Sequence, residues 1–194
     1  MVSAGLVLLG LLSSVEGGTE SVFDESRFGV ELGARVSGGQ MYWVQAAAGL
    51  NYGIDLRLRF SPNLSLGLAL ETGSGKSPEG DQQWELHRKQ IGFDLQWRFD
   101  TGPHIRPWIS LGMAFGSVDL RYEDGSFRSS AHTWDFARLG LGVDFLVGRF
   151  VALGPFVRGS LGHTRLVDVT DPPGADTGRS LDSLEVGLRV LLGF

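Results

Sequence analysis

The last eleven residues, Leu184 to Phe194, carry an apolar side chain at every even position: Leu184, Val186, Leu188, Val190, Leu192 and Phe194. Glu185, Gly187, Arg189 and Gly193 fall between them. Side chains of a β-strand alternate faces with period two, so the even set shares one face and the other set the opposite face. One face suits hydrocarbon, and the other suits water or ion pairs.

The same alternation recurs along the chain. Phe28, Val30, Leu32, Ala34 and Val36 form a first apolar face, and the even positions from Ala48 to Phe60 a second. Ser61-Pro62-Asn63 is a turn signal, after which Leu64, Leu66, Leu68 and Leu70 alternate with Ser65, Gly67, Ala69 and Glu71. Further segments follow at Ile91–Phe99, Ile109–Phe115, Leu139–Val147 and Val151–Leu161, before the terminal strand. Turns near 61–63, 100–103 and 148–150 are short, whereas polar connections near 37–45, 73–84, 123–133 and 164–180 are long. Short and long links therefore fall on opposite rims. The expected fold is all-β, an eight-stranded antiparallel up-and-down transmembrane β-barrel over residues 27–194. Ten residues at about 3.3 Å each, tilted about 45°, span roughly 23 Å, close to the apolar band of an outer membrane.

Composition narrows the alternatives. Apolar residues make up 42% and charged residues 20%, and no long uncharged apolar run follows the first residues, so a membrane-spanning helix is not expected. Barrel strands interleave polar and apolar residues and escape such averages. Cysteine is absent, which excludes disulfides and an acylated cysteine. A net charge of −5 without a basic stripe argues against nucleic acid as a partner. The apolar stretch Met1–Leu12, followed by small and acidic residues, reads as a signal peptide over 1–18 cleaved near Gly17 or Gly18. It lacks the usual preceding Lys or Arg, which points to a start codon further upstream.

Inward positions collect Glu31, Asp55, Glu71, Asp94, Asp144 and Glu185 together with Arg35, Arg57, Arg59, Arg98, Arg158 and Arg189. Six acids thus face six arginines. Unpaired charges inside a narrow barrel would cost several kcal/mol each, so this balance predicts a salt-bridged network filling the lumen. Aromatics bunch at segment ends: Phe28, Phe60, Trp97, Phe99, Trp108, Phe150 and Phe194 at the short-turn rim, and Tyr42, Trp43, Trp84, Tyr122 and Trp134 near the other. Two such belts mark the two interfaces of a membrane. At Trp84 and Leu86 the alternation slips against Ile91, which a β-bulge or an aqueous extension of the strand explains.

The terminal strand, with Gly187 after a polar residue, its alternating apolar positions and a final Phe194, resembles the sorting signal of bacterial outer-membrane barrels. Residues 27–194 resemble the small eight-stranded barrels of the OmpA and OmpX type. The resemblance implies a Gram-negative outer-membrane location with both termini periplasmic. It implies lipid and lipopolysaccharide as surroundings and the barrel-assembly machinery as a partner, with Gly187 and Phe194 as the assembly signal. Relatives of this type serve as structural proteins, adhesins, narrow channels or lipid A-modifying enzymes, and fold alone does not choose among them.

Motifs with chemistry are few. Gly73-Ser-Gly-Lys-Ser77 looks like the end of a phosphate-binding loop, but Leu70 stands where the first Gly should be and Pro78 follows, so it reads as an outer loop. Ser130, His132 and Asp135 could in principle form a hydrolytic set in the third long connection. Loops are rich in such residues for solvation, however, and no catalytic residue is assigned. His163 departs from the pattern of barrel lipid A deacylases, and His87 and His104 lie at opposite rims without acidic partners, so neither metal nor cofactor is expected. The acidic connection 164–180 and the connection 73–84 are the favoured surfaces for an extracellular ligand, whose identity the sequence does not give. The expected role is structural or surface-interacting, with a narrow ion or small-solute channel as the alternative and lipid A modification third.

Overall fold

The computed structural model describes residues 28–41, 47–76, 84–122, 128–166 and 183–193. The expected signal peptide, Tyr42, Trp43, most of the acidic connection and Phe194 lie outside these residues. Eight strands follow one another: β1 (Gly29–Met41), β2 (Ala47–Arg59), β3 (Leu64–Lys76), β4 (Trp84–Arg98), β5 (Ile105–Tyr122), β6 (Arg128–Leu146), β7 (Val151–Leu166) and β8 (Ser183–Gly193). Each pairs antiparallel with the next, and β8 returns to β1 to close the barrel. Closure leaves no unpaired sheet edge, the condition a sheet must meet in hydrocarbon.

The register fixes the size of the interior. Starting at Gly29, the partners run through Arg59, Ser65, Gln96, Ser110, Gly140, Arg158 and Glu185, and the circuit re-enters β1 at Gly39, ten residues along. Eight strands with this stagger tilt by about 40° and give a backbone radius of about 8 Å. Side chains fill such a space.

Three tight turns lie on one rim. Leu64 donates its amide to Ser61 Oγ at 3.0 Å in the β2–β3 turn. The other two use glycines in the left-handed region, Gly102 with φ 139° and Gly148 with φ 145°, where a side chain would be strained.

At the opposite rim the strands run further than the hydrophobic alternation does. Gly73 to Lys76 belong to β3, not to an outer loop, and Ser130, His132 and Asp135 belong to β6, not to a connection. Alternation reports the medium on each face, whereas the backbone ladder continues wherever its amides find partners. Of the two explanations for the slip at Trp84 and Leu86, the bulge does not occur: β4 pairs evenly from Trp84 to Arg98 on its β5 side, and Leu86 points inward, 1% exposed, on an extension of the strand past its alternating stretch. The bulge lies in β6. There Gly112 pairs Arg138 but Ala114 pairs Asp135, and on the other side Ala137 pairs Leu161 but Asp135 pairs Gly162. One extra residue at Phe136-Ala137 switches the inward set from Ala131, Thr133 and Asp135 to Arg138, Gly140 and Asp144.

The interior ion-pair network as candidate functional site

The polar face of every strand converges on the barrel axis, and all twelve charged residues expected there point inward. Near the short-turn rim, Arg98 holds Glu31 through both terminal nitrogens, Nη1 at 2.5 Å, and Arg59 approaches the same carboxylate at 3.8 Å. Beside them Arg189 grips Asp144 through Nε and Nη2 at 2.8 and 2.6 Å and donates to Gln96 Oε1 at 2.8 Å. Its guanidinium lies on the Trp108 ring. Trp108 therefore sits inside, 6% exposed, and not in the outer girdle expected of it. Its parity in β5 matches Arg106 and Ser110, which also point inward.

Midway along the barrel, Arg57 forms a parallel pair of hydrogen bonds to Asp94, both 2.9 Å, and lies 3.6 Å from Asp55. Arg35 bridges Asp55, at 3.2 Å, to Glu71. Glu71 is the hub. Arg35, Arg138 and Arg158, from three different strands, all donate to its carboxylate. Arg158 also donates to Glu185 at 2.5 Å, and Ser37 donates to the same oxygen at 3.1 Å. Forked guanidinium contacts of this kind are the strong form of the ion pair.

Toward the long-connection rim, Arg88 and Gln90 reach Asp135 at 2.9 and 3.4 Å, and Arg138 Nε lies 3.7 Å from it. Beyond this pair the inward side chains turn apolar: Leu86, Val118, Leu120 and Ala131 are all essentially unexposed.

The even balance of six and six does not hold. Arg88, Arg106, Arg138 and Asp135 also point inward, so the described interior holds nine arginines and seven acids. Arg88 precedes the stretch in which the alternation of β4 is visible, and Asp135 was hidden by the bulge that reverses parity beside it. Arg138 stood in phase with Gly140 and Asp144 and was legible in the sequence. Interior glycines give the long side chains room. A Cβ on Gly67 would stand 2.5 Å from Asp94 Oδ1, and one on Gly92 would stand 2.6 Å from Arg138 Nη1.

The bulge also separates the suggested hydrolytic set. His132 is exposed on the outer face while Asp135 is buried inside, so the two stand on opposite sides of the wall. Among the described residues no cluster of His, Cys, Asp or Glu could hold a metal ion.

Residues 4–191 match the family described as the outer membrane protein beta-barrel domain. The chain belongs to that family. Among solved structures, this outer-membrane barrel resembles Neisserial surface protein A with a TM-score of 0.59 at 18% identity, covering 87% of this chain and 98% of that one. It also resembles Ail, the attachment invasion locus protein of Yersinia pestis, with a TM-score of 0.51 at 12% identity over 86% and 97% of the two chains. These likenesses concern the fold. No curated protein matches the chain significantly.

The exterior of this outer-membrane barrel is the lipid-facing surface. Its outward positions in β5 run Ile105, Ile109, Leu111, Met113 and Phe115, an apolar height of about 25 Å at the tilt given above. Phe28, Phe60, Trp97, Phe99 and Phe150 are exposed on the outside near the tight turns, where an interfacial girdle belongs. Trp134 lies outside toward the other rim, stacked on Phe115 with ring centroids 5.9 Å apart. Gly187 pairs with Ser37 and Phe156, and a Cβ there would run into the β1 backbone.

Proposed function

We propose that this outer-membrane barrel is a non-enzymatic surface protein whose lumen is closed by its arginine–acid network and which presents its long connections to the exterior. Both termini then face the periplasm, and the barrel-assembly machinery reads Gly187 and Phe194. The observation that carries the reading is the Glu71 hub: three arginines from β1, β6 and β7 cross a lumen of about 8 Å radius to reach one carboxylate on β3. The void beside it, lined by Arg35, Asp94, Arg138 and Arg158, measures about 10 Å³, room for one water at most. A hydrated ion finds no continuous path through such a section. The separation of His132 from Asp135 across the wall supports the absence of hydrolytic chemistry. The names of two fold relatives, a surface protein and an attachment protein, agree with a role at the cell surface.

Single-channel recording of the refolded protein in a planar bilayer tests the reading. Wild type is expected to be silent, and Glu71→Ala is expected to conduct in brief, irregular openings. Steady wild-type conductance altered by Arg158→Ala and Arg189→Ala would replace the closed barrel with a narrow channel.

A further inference from the structure

On the outer wall, toward the long-connection rim, one row of residues, in register across five strands and slanting along the wall with their tilt, is built unlike the lipid-facing surface beside it. Tyr52 pairs Thr72, Thr72 pairs Lys89, Lys89 pairs Ser117 and Ser117 pairs His132, so five successive strands place these side chains side by side. The row contains three hydroxyls, one ammonium and one imidazole, and no acid. Next to it, toward the short turns, runs a wholly apolar row, Ile54, Leu70, Ile91 and Phe115, in register across four of the same strands, β2 to β5. The small side chains of Thr72 and Ser117, set among Tyr52, Phe115 and His132, leave an open concavity of about 780 Å³ that both rows line.

Lys89 is exposed and forms no ion pair among the described residues, although Lys76 in the same rim is paired with Glu85 at 3.2 Å. The nearest acid of β5, Asp119, stands in register with His87 instead. A lysine at the edge of an apolar band lays its stem on hydrocarbon and lifts its charge to headgroup level. The other rim is different. Its outward residues are chiefly aromatic, and Arg149 is held over the Phe150 ring at 5.5 Å.

We infer that this concavity is a site for the phosphorylated disaccharide headgroup of lipid A, with acyl chains on Ile54, Leu70, Ile91 and Phe115 and a phosphate on Lys89. His132 stands two strands from Lys89, about 10 Å along the wall, which is the scale of a disaccharide. Tyr52, Thr72 and Ser117 supply the hydroxyl donors and acceptors that a sugar with phosphates requires and that a simple phospholipid headgroup leaves mostly unused. The inference rests on the reading that the long connections face outside, which places the row in the outer leaflet.

Native mass spectrometry of the refolded full chain in detergent, titrated with bisphosphorylated lipid A, tests it. Wild type is expected to retain lipid A more tightly than phosphatidylglycerol. The Lys89→Ala/His132→Ala double variant is expected to lose at least tenfold in apparent affinity. Lys89→Gln alone, which preserves the stem, is expected to lose about fivefold. Lys76→Ala is expected to leave retention unchanged. Equal affinity in the double variant, with heat-modifiable mobility intact, would overturn the site, as would an equal loss in Lys76→Ala. Equal retention of phosphatidylglycerol by wild type would overturn the choice of lipid A. Orientation is read separately: the chain has no cysteine, so Ala175→Cys on whole cells reports through a membrane-impermeant maleimide. Labelling only after permeabilisation would sink the orientation while leaving the binding result standing.

Discussion

The guanidinium carbon of Arg189 lies 3.8 Å from the centroid of the Trp108 ring while the same side chain holds Asp144 through two nitrogens. A strand at the end of the chain is thereby fastened to β5 and β6 through the barrel interior, in addition to its ladders with β1 and β7. A desolvated cation over tryptophan contributes about 2 kcal/mol, and removing the arginine also strands a buried carboxylate. Arg189→Ala is therefore expected to lower the unfolding free energy by about 3–5 kcal/mol, and Trp108→Leu by less. Urea unfolding in lipid vesicles, followed by tryptophan fluorescence for the arginine variant and by gel mobility for both, measures this. A loss under 1 kcal/mol for Arg189→Ala would remove the pair from any account of stability.

Glu71 is the counter-charge for Arg35, Arg138 and Arg158 at once. Glu71→Gln keeps the size and hydrogen-bonding capacity of the side chain but leaves three guanidinium groups facing one another. It is expected to cost about 3–5 kcal/mol, whereas the double variant Glu71→Gln/Arg138→Met recovers part of the loss. A double-mutant cycle on these two positions, read by equilibrium unfolding, should return a coupling of about 1–3 kcal/mol. Strict additivity would mean that the hub carries no cooperative energy.

Interior and exterior glycines should respond in opposite ways. A Cβ on Gly142 would overlap the Trp108 ring and approach the Pro155 carbonyl, whereas one on Gly38, which faces outward in β1, meets nothing within 4 Å. Gly142→Val is expected to destabilise by about 3 kcal/mol or to prevent refolding, since neither the ring nor the backbone can give way. Gly38→Val, with a β-branched side chain on an open strand face, is expected to stay within about 0.5 kcal/mol of wild type. Parallel refolding yields on a heat-modifiability gel separate the two outcomes.

The alternation of Leu, Val and Phe made the strand number, the up-and-down order and the sense of the faces that meet hydrocarbon legible, because a lipid exterior forces apolar side chains outward there. That force ends at the headgroups. Gly73 to Lys76 and Ser130 to Thr133 continue their ladders beyond it, with nothing in the sequence to mark them as strand. Trp108 was misplaced for a related reason. An aromatic near a rim belongs to the girdle only if its parity is outward, and Ile109 and Leu111, outward in β5, set the parity that puts Trp108 inside. The pairing pattern of the interior was not legible, since period two says which residues face the axis but not which of them meet across it.

The bulge in β6 was invisible for a different reason, and it yields the sharpest expectation. Phe136 and Ala137 together fill the place of one residue between Asp135 and Arg138, both of which point inward, so β6 is one residue longer than its neighbours require. Deleting Ala137 leaves Phe136 as the single residue between them. Met113 and Leu161 then find Phe136 as their partner, and every side chain of β6 keeps its face. Deleting Leu141 instead moves one half of the strand by a residue and turns its charged set toward lipid, where an arginine at the midplane costs about 2–4 kcal/mol. The Ala137 deletion is expected to refold with heat-modifiable mobility and to lie within about 1 kcal/mol of wild type, because bulges cost ladder bonds that a regular strand restores. The Leu141 deletion is expected not to refold. Loss of folding in both would mean that the twist imposed by the bulge, and not register alone, is what closes the barrel.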